Sequence, residues 1–180
     1  MSLIKPTILL TITAIIIIAL FAIYYTFGII QNIYGNDANS IVQVINSIEG
    51  YELESVEILE IRDFGDERIV SFLSNNNPAF IHFIRNTNDN YEWRFITRGN
   101  PSFASFLRNI QNHDKPIFWI VTNEQNIIAK LHLYINDQII EQDFDVNQKS
   151  VTWIDLPEAG SGDYRFDYKY FDKDGNLINQ

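Results

Sequence analysis

The stretch Val56-Glu57-Ile58-Leu59-Glu60-Ile61-Arg62-Asp63-Phe64-Gly65-Asp66-Glu67-Arg68-Ile69-Val70-Ser71-Phe72-Leu73 decides the fold. Val56 and Ile58 alternate with Glu57 and Glu60, the period of a strand with one face in water and the other on a core. Gly65-Asp66 breaks the pattern as a turn, and Arg68 to Leu73 is the next strand. The same rhythm continues downstream. Ser74-Asn75-Asn76-Asn77-Pro78 reads as a loop, Ala79 to Arg85 as a strand, Asn86 to Asn90 as a turn and Tyr91 to Thr97 as a fourth strand. Short strands at about ten-residue spacing with Asn, Gly and Asp turns describe an antiparallel meander.

Upstream, Asp37 to Glu49 reads as a short amphipathic helix. Ile41, Val42, Val44, Ile45 and Ile48 recur near helical spacing, Asn36 or Asp37 can cap the start, and Gly50 can end it. Before it lies a near-continuous apolar run from Ile8 to Ile30, with no charged side chain between Lys5 and Asp37. A helix needs about 20 apolar residues to cross a bilayer, so the run is long enough to anchor the chain. It is longer than the apolar core of a secretory signal and lacks an A-x-A site, which favours an uncleaved anchor. Lys5 precedes the run, and the charges that follow it before Arg62 are Asp37, Glu49, Glu52, Glu54, Glu57 and Glu60. Basic flanks stay in the cytoplasm, so the N-terminus is expected inside and the remainder outside the cell membrane.

Residues 98 to 116 break the strand rhythm. Arg98-Gly99-Asn100-Pro101 and Asn112-His113-Asp114-Lys115-Pro116 flank Ser102 to Gln111, which reads as a short helix at a subdomain boundary. Beyond it, Ile117 to Thr122, Ile127 to Ile135, Ile139 to Phe144, Val151 to Leu156, Tyr164 to Phe171 and Leu177-Ile178 are strand-like. The expected fold is therefore mainly β: an N-terminal transmembrane helix, a short amphipathic helix, an antiparallel meander and a small immunoglobulin-like β-sandwich. Residues 1–34 form the cytoplasmic tip and anchor, 35–100 the helix plus meander, 101–116 a connecting segment and 117–180 the sandwich-like subdomain.

Composition narrows the function. The chain has no Cys, which removes disulfide scaffolds, thiolate metal sites and cysteine nucleophiles together. Its net charge of −10 disfavours nucleic acid and anionic bilayer surfaces as partners. The three histidines, His82, His113 and His132, show no metal-ligand spacing. No Gly-x-Ser-x-Gly setting or glycine-rich phosphate loop occurs, and no cofactor is expected. Asp172-x-Asp174-x-Asn176 copies the start of a calcium loop, but Leu177 stands where Gly is needed, so it reads as a hairpin turn. Glu52, Glu54, Glu57 and Glu60 could supply paired carboxylates for glycoside chemistry, and they also suit a solvated strand face. Tyr91, Trp93 and Phe95 make an aromatic row, as do Tyr164, Phe166, Tyr168 and Tyr170. Such rows usually fill a core. As a binding platform, Tyr164, Tyr168 and Tyr170 are the candidate ligand or partner contacts, because phenols tolerate a wet edge.

The segments Arg68-Ile69-Val70-Ser71-Phe72, Tyr91-Glu92-Trp93-Arg94 and Phe118-Trp119-Ile120-Val121-Thr122-Asn123 resemble those of small Bacillota membrane-anchored extracytoplasmic proteins of unknown function. The resemblance implies a cell-surface context and no activity. The reading favours a non-enzymatic binding module held in the membrane by its N-terminal helix, with a protein partner or cell-wall glycan as ligand. The alternative is a carbohydrate- or peptidoglycan-active envelope protein.

Overall fold

The computed structural model describes residues 15–19, 33–136, 138–158 and 164–178. Contacts divide the chain into two compact units, Met1–Ile33 and Tyr34–Gln180. In the first, residues 15–19 are helical, and the rest of the apolar run lies outside the described residues. No described helix is long and apolar enough to cross a membrane.

The second unit is mainly β, and all its sheets are antiparallel. It opens with helix α1 (Ala38–Asn46). Asp37 caps α1 by accepting from the Ser40 amide at 2.9 Å, while the Ser40 hydroxyl accepts from the Asp37 amide at 2.9 Å. The helix stops short of the expected Glu49, because the Ile48 amide bonds only three residues back, to the Ile45 carbonyl at 3.1 Å, and Gly50 takes a positive φ of 85°. The meander follows as β1 (Val56–Phe64), β2 (Glu67–Ser74), β3 (Asn77–Arg85) and β4 (Tyr91–Arg98), in the order β1-β2-β3-β4. The expected loop at 74–78 is a tight hairpin. Asn75 and Asn76 both take positive φ, 46° and 67°, which suits the twist of the flanking strands.

Residues 102–111 are not helical. They hold strand β5 (Phe103–Arg108), paired in full register with β6 (Ile117–Thr122), which pairs in turn with β9 (Ser150–Ile154). Extended backbone wins because consecutive residues serve opposite cores: Phe103 packs on one side, Ala104 and Phe106 on the other. The remaining strands β7 (Lys130–Ile135), β8 (Gln138–Asp143), β10 (Phe166–Phe171) and β11 (Leu177–Ile178) form a third sheet, ordered β11-β10-β7-β8.

Three cores stack these layers. Ile41, Val44 and Ile45 of α1 pack on Val70, Phe72, Ile81 and Phe83. The opposite face of the meander, with Ile69, Leu73 and Phe80, packs on Phe106, Trp119 and Val121. The far face of the β5-β6-β9 sheet, with Phe118 and Ile120, packs on Leu131, Leu133, Ile135 and the β10 aromatics. The order is thus helix, sheet, sheet, sheet. β2, β3 and β6 lie between layers, which is why their sequences read as apolar runs. β7 is covered on one face and keeps strict alternation. The buried Asn123 joins the meander to the second sheet, its amide donating to the Asn76 carbonyl at 2.5 Å and the Pro101 carbonyl at 2.7 Å.

Candidate functional site

A groove of about 420 Å³ opens where the end of β1 lies over the end of β9. Strand period places Glu60, Arg62 and Phe64 on one face of β1, towards Trp153 of β9. Each fixes the indole differently. Glu60 accepts its N–H at 2.9 Å, Phe64 meets it edge-on at 5.7 Å, and the Arg62 guanidinium lies 4.6 Å above the ring. Trp119 stacks on the same indole at 5.2 Å. The opposite wall is the segment entering β6. His113 meets Phe64 edge-on at 5.9 Å, and Lys115 donates to the Leu156 carbonyl at 2.9 Å. A second cavity of about 550 Å³ shares His113, Lys115 and Pro116 with the first and reaches Glu158 and Tyr164.

The segment leading into that wall is anchored at Gln111 by a buried carboxylate. Glu67 is 6% exposed; one oxygen accepts the Gln111 amide at 2.5 Å and the other lies 2.6 Å from Nε2 of His82. His82 is 2% exposed, and its Nδ1 has no partner among the described residues. Protonation would bury a charged N–H without an acceptor, so the neutral ring with its proton on Nε2 fits the site. Burial pushes the His82 pKa below the ordinary 6.5; the Glu67 charge opposes this, and Arg108 and Arg94 add to it. The sign of the pH dependence follows. Above pH 6.5 His82 is neutral in both states and contributes no slope. As pH falls below 6.5, the unfolded chain takes up a proton that the folded protein refuses, so stability drops until the folded ring also titrates. Urea unfolding at pH 7.5 and pH 5.5 should show this loss, and His82→Gln, which keeps a donor for Glu67, should make it smaller. An equal loss in both proteins would refute the assignment.

The other sequence candidates are placed as follows. Tyr164, Phe166, Tyr168 and Tyr170 form one stacked row with successive ring separations of 5.9, 6.3 and 6.1 Å, and they pack half-buried against the third core. Burial raises the Tyr168 pKa and pushes that of Tyr170 up to about 12, so both phenols stay neutral donors near neutral pH. Tyr164 donates to the Pro157 carbonyl at 2.8 Å.

The expected row of Tyr91, Trp93 and Phe95 is broken. A β-bulge pairs Trp93 with Phe83 and Phe95 with His82, leaving Arg94 out of register. Trp93 and Phe95 therefore lie on opposite faces. The Glu57 carboxylate accepts from Lys149 at 2.8 Å, and Glu54 pairs with Arg98. Glu60 is taken up by Trp153. Asp172 accepts the amides of Asp174 and Asn176 at 2.9 and 2.8 Å, which closes a hairpin turn with Gly175 at φ +82°. His132 lies 3.6 Å from Glu141 on the third sheet, apart from the groove residues. Among the described residues no group of three or more His, Asp or Glu is placed to hold a metal ion.

Sequence reasoning missed the groove because its parts come from three separated segments. It also missed Glu67, although a signal existed. An Asn75-Asn76 hairpin sets Ile69 opposite His82 and Glu67 opposite Ile84, one diagonal from His82. Reading 74–78 as an open loop hid that register. No family model, curated protein or solved structure matches this chain.

Proposed function

We propose that this chain is a single-pass membrane protein whose β-rich unit lies outside the cell and acts as a non-enzymatic binding module, with the β1–β9 groove as its contact site. The observation that carries the reading is the groove, which presents an apolar wall beside charged groups of both signs, Arg62 and Lys115 with Asp114 and Asp155. These are contact groups. The charge-free run from Ile8 to Ile30, with acids following it, supports the anchor and its orientation. The three- and four-stranded sheets that share the third core support an immunoglobulin-like sandwich.

The test uses the full chain with a C-terminal tag in intact cells. The protein should stay in the membrane pellet after alkaline carbonate extraction, and external protease should remove the tag. A photo-crosslinking residue at Pro116 should capture a discrete partner that the same residue at Asp174 does not. Carbonate release would remove the anchor, a protected tag would reverse the topology, and equal capture from both positions would reject the groove.

The second reading is glycan contact through Tyr164, Tyr168 and Tyr170, in a binding or carbohydrate-active envelope protein. It is supported by the half-exposed ring row and by Tyr164 lining the second cavity. In that case purified cell-wall material should retain the protein, and retention should fall when the three tyrosines are replaced by Leu, which keeps apolar packing and removes the ring faces.

A further inference from the structure

The geometry points to an extended, carboxylate-bearing peptide as the ligand of the β1–β9 groove, with Arg62 as the group that receives the carboxylate. The inference rests on the binding-module reading and adds the chemical class of the ligand.

Arg62 carries the argument. The chain holds 23 acidic residues against 13 basic ones, and Arg68, Arg85, Arg94 and Arg98 each pair with an acid; Arg62, Arg108 and Arg165 do not among the described residues, and of these three Arg62 lines the groove. Arg62 has no hydrogen bond or ion pair among the described residues. The carbon of its guanidinium lies over two rings, 4.6 Å from the Trp153 centroid and 5.6 Å from that of Phe64. The rings take no hydrogen bond from it, so its N–H fork has no acceptor among the described residues. That fork matches a carboxylate in two parallel hydrogen bonds. Lys115, across the groove, is already engaged by the Leu156 carbonyl at 2.9 Å and Asp155 at 3.5 Å. Asp114 and Asp155 line the groove as well, Asp155 facing Lys115, so the donor left open to an incoming anion is Arg62 on the β1 side.

The strands beside Arg62 specify a peptide. Among the described residues β1 pairs only with β2, and β9 only with β6, so both are edge strands there. Each leaves a row of main-chain donors and acceptors without a ladder partner, the surface onto which an extended chain adds. The middle sheet has three strands where its neighbours have four, and β9 is the edge beside the groove. An added strand would place alternate side chains against the apolar wall formed by Phe64, Pro116 and Trp153.

The experiment uses the full chain in lipid nanodiscs and two pools of random octapeptides. One pool carries Asp, Glu and a free C-terminal carboxylate; the other omits both acids and is C-terminally amidated. The protein should recover the first pool about tenfold or more over the second, the ratio expected for a charged hydrogen-bond pair. Arg62→Met, which keeps the stem over Trp153, should erase that ratio. Equal recovery of the two pools, or a preference that survives Arg62→Met, would overturn the carboxylate assignment. Recovery of neither pool would overturn the peptide ligand, while capture of a partner from Pro116 in intact cells would leave the binding module standing.

Discussion

Trp119→Ala should destabilise the β-rich unit by about 3–5 kcal/mol, the range for truncating a fully buried tryptophan. For a domain of this size the melting temperature should fall by roughly 10 °C or more. Trp119 is 0% exposed at the centre of the second core. Its ring meets Phe80 at 4.9 Å, Phe106 at 5.5 Å and Trp153 at 5.2 Å. The first belongs to the meander, the others to the middle sheet, so one side chain holds two layers together. The cavity left by alanine would be lined by large rings on both sides, and rings cannot collapse into it without moving a sheet. Trp119→Phe should cost much less, because it refills part of the volume and removes an indole N–H that has no partner among the described residues. Thermal unfolding of the three proteins checks this. A loss below about 1 kcal/mol for the alanine variant would mean that the two sheets do not share this core.

Glu67→Ala should cost about 2–4 kcal/mol, since it strands two donors at once and each buried orphan costs about 1–3 kcal/mol. The donors are the Gln111 amide and Nε2 of His82, at 2.5 and 2.6 Å from the carboxylate. Glu67→Gln should fall between the two proteins, because one amide oxygen still accepts while its NH₂ faces a second donor. The effect should also be local. Gln111 precedes the segment bearing His113 and Lys115, so loss of Glu67 should speed hydrogen exchange at the Gln111 amide beyond the change at Trp119, which lies inside β6. Uniform acceleration at both amides would show that Glu67 acts on global stability alone. The same variant links stability to the groove, whose 111–116 wall it should loosen.

Much of the β unit is legible along the chain. The meander strands, the cap at Asp37 and the hairpin at Asp172 depend on near neighbours: alternation, a side chain reaching an amide three residues on, an Asn or Gly able to take positive φ. Period and turn chemistry are local quantities, so one sequence displays them. The apolar run from Ile8 to Ile30 is legible for the same reason, since its length and lack of charge need no tertiary partner to be read.

Only the tertiary structure decided the rest. Ser102 to Gln111 was ambiguous because a short apolar segment suits either a helix or a strand until the two cores on its sides are known. The bulge at Arg94 splits Trp93 from Phe95, and bulges answer to strand pairing across the sheet. The stacking of three sheets erases alternation in β2, β3 and β6, so their sequences carry no mark of which face meets which layer. The groove is the clearest case. Arg62, His113, Lys115 and Trp153 are unremarkable in sequence, and what makes Arg62 informative is its place in the groove with no acid partner among the described residues. An ion pair left unmade depends on where the other charges come to rest, and that is fixed by packing far along the chain.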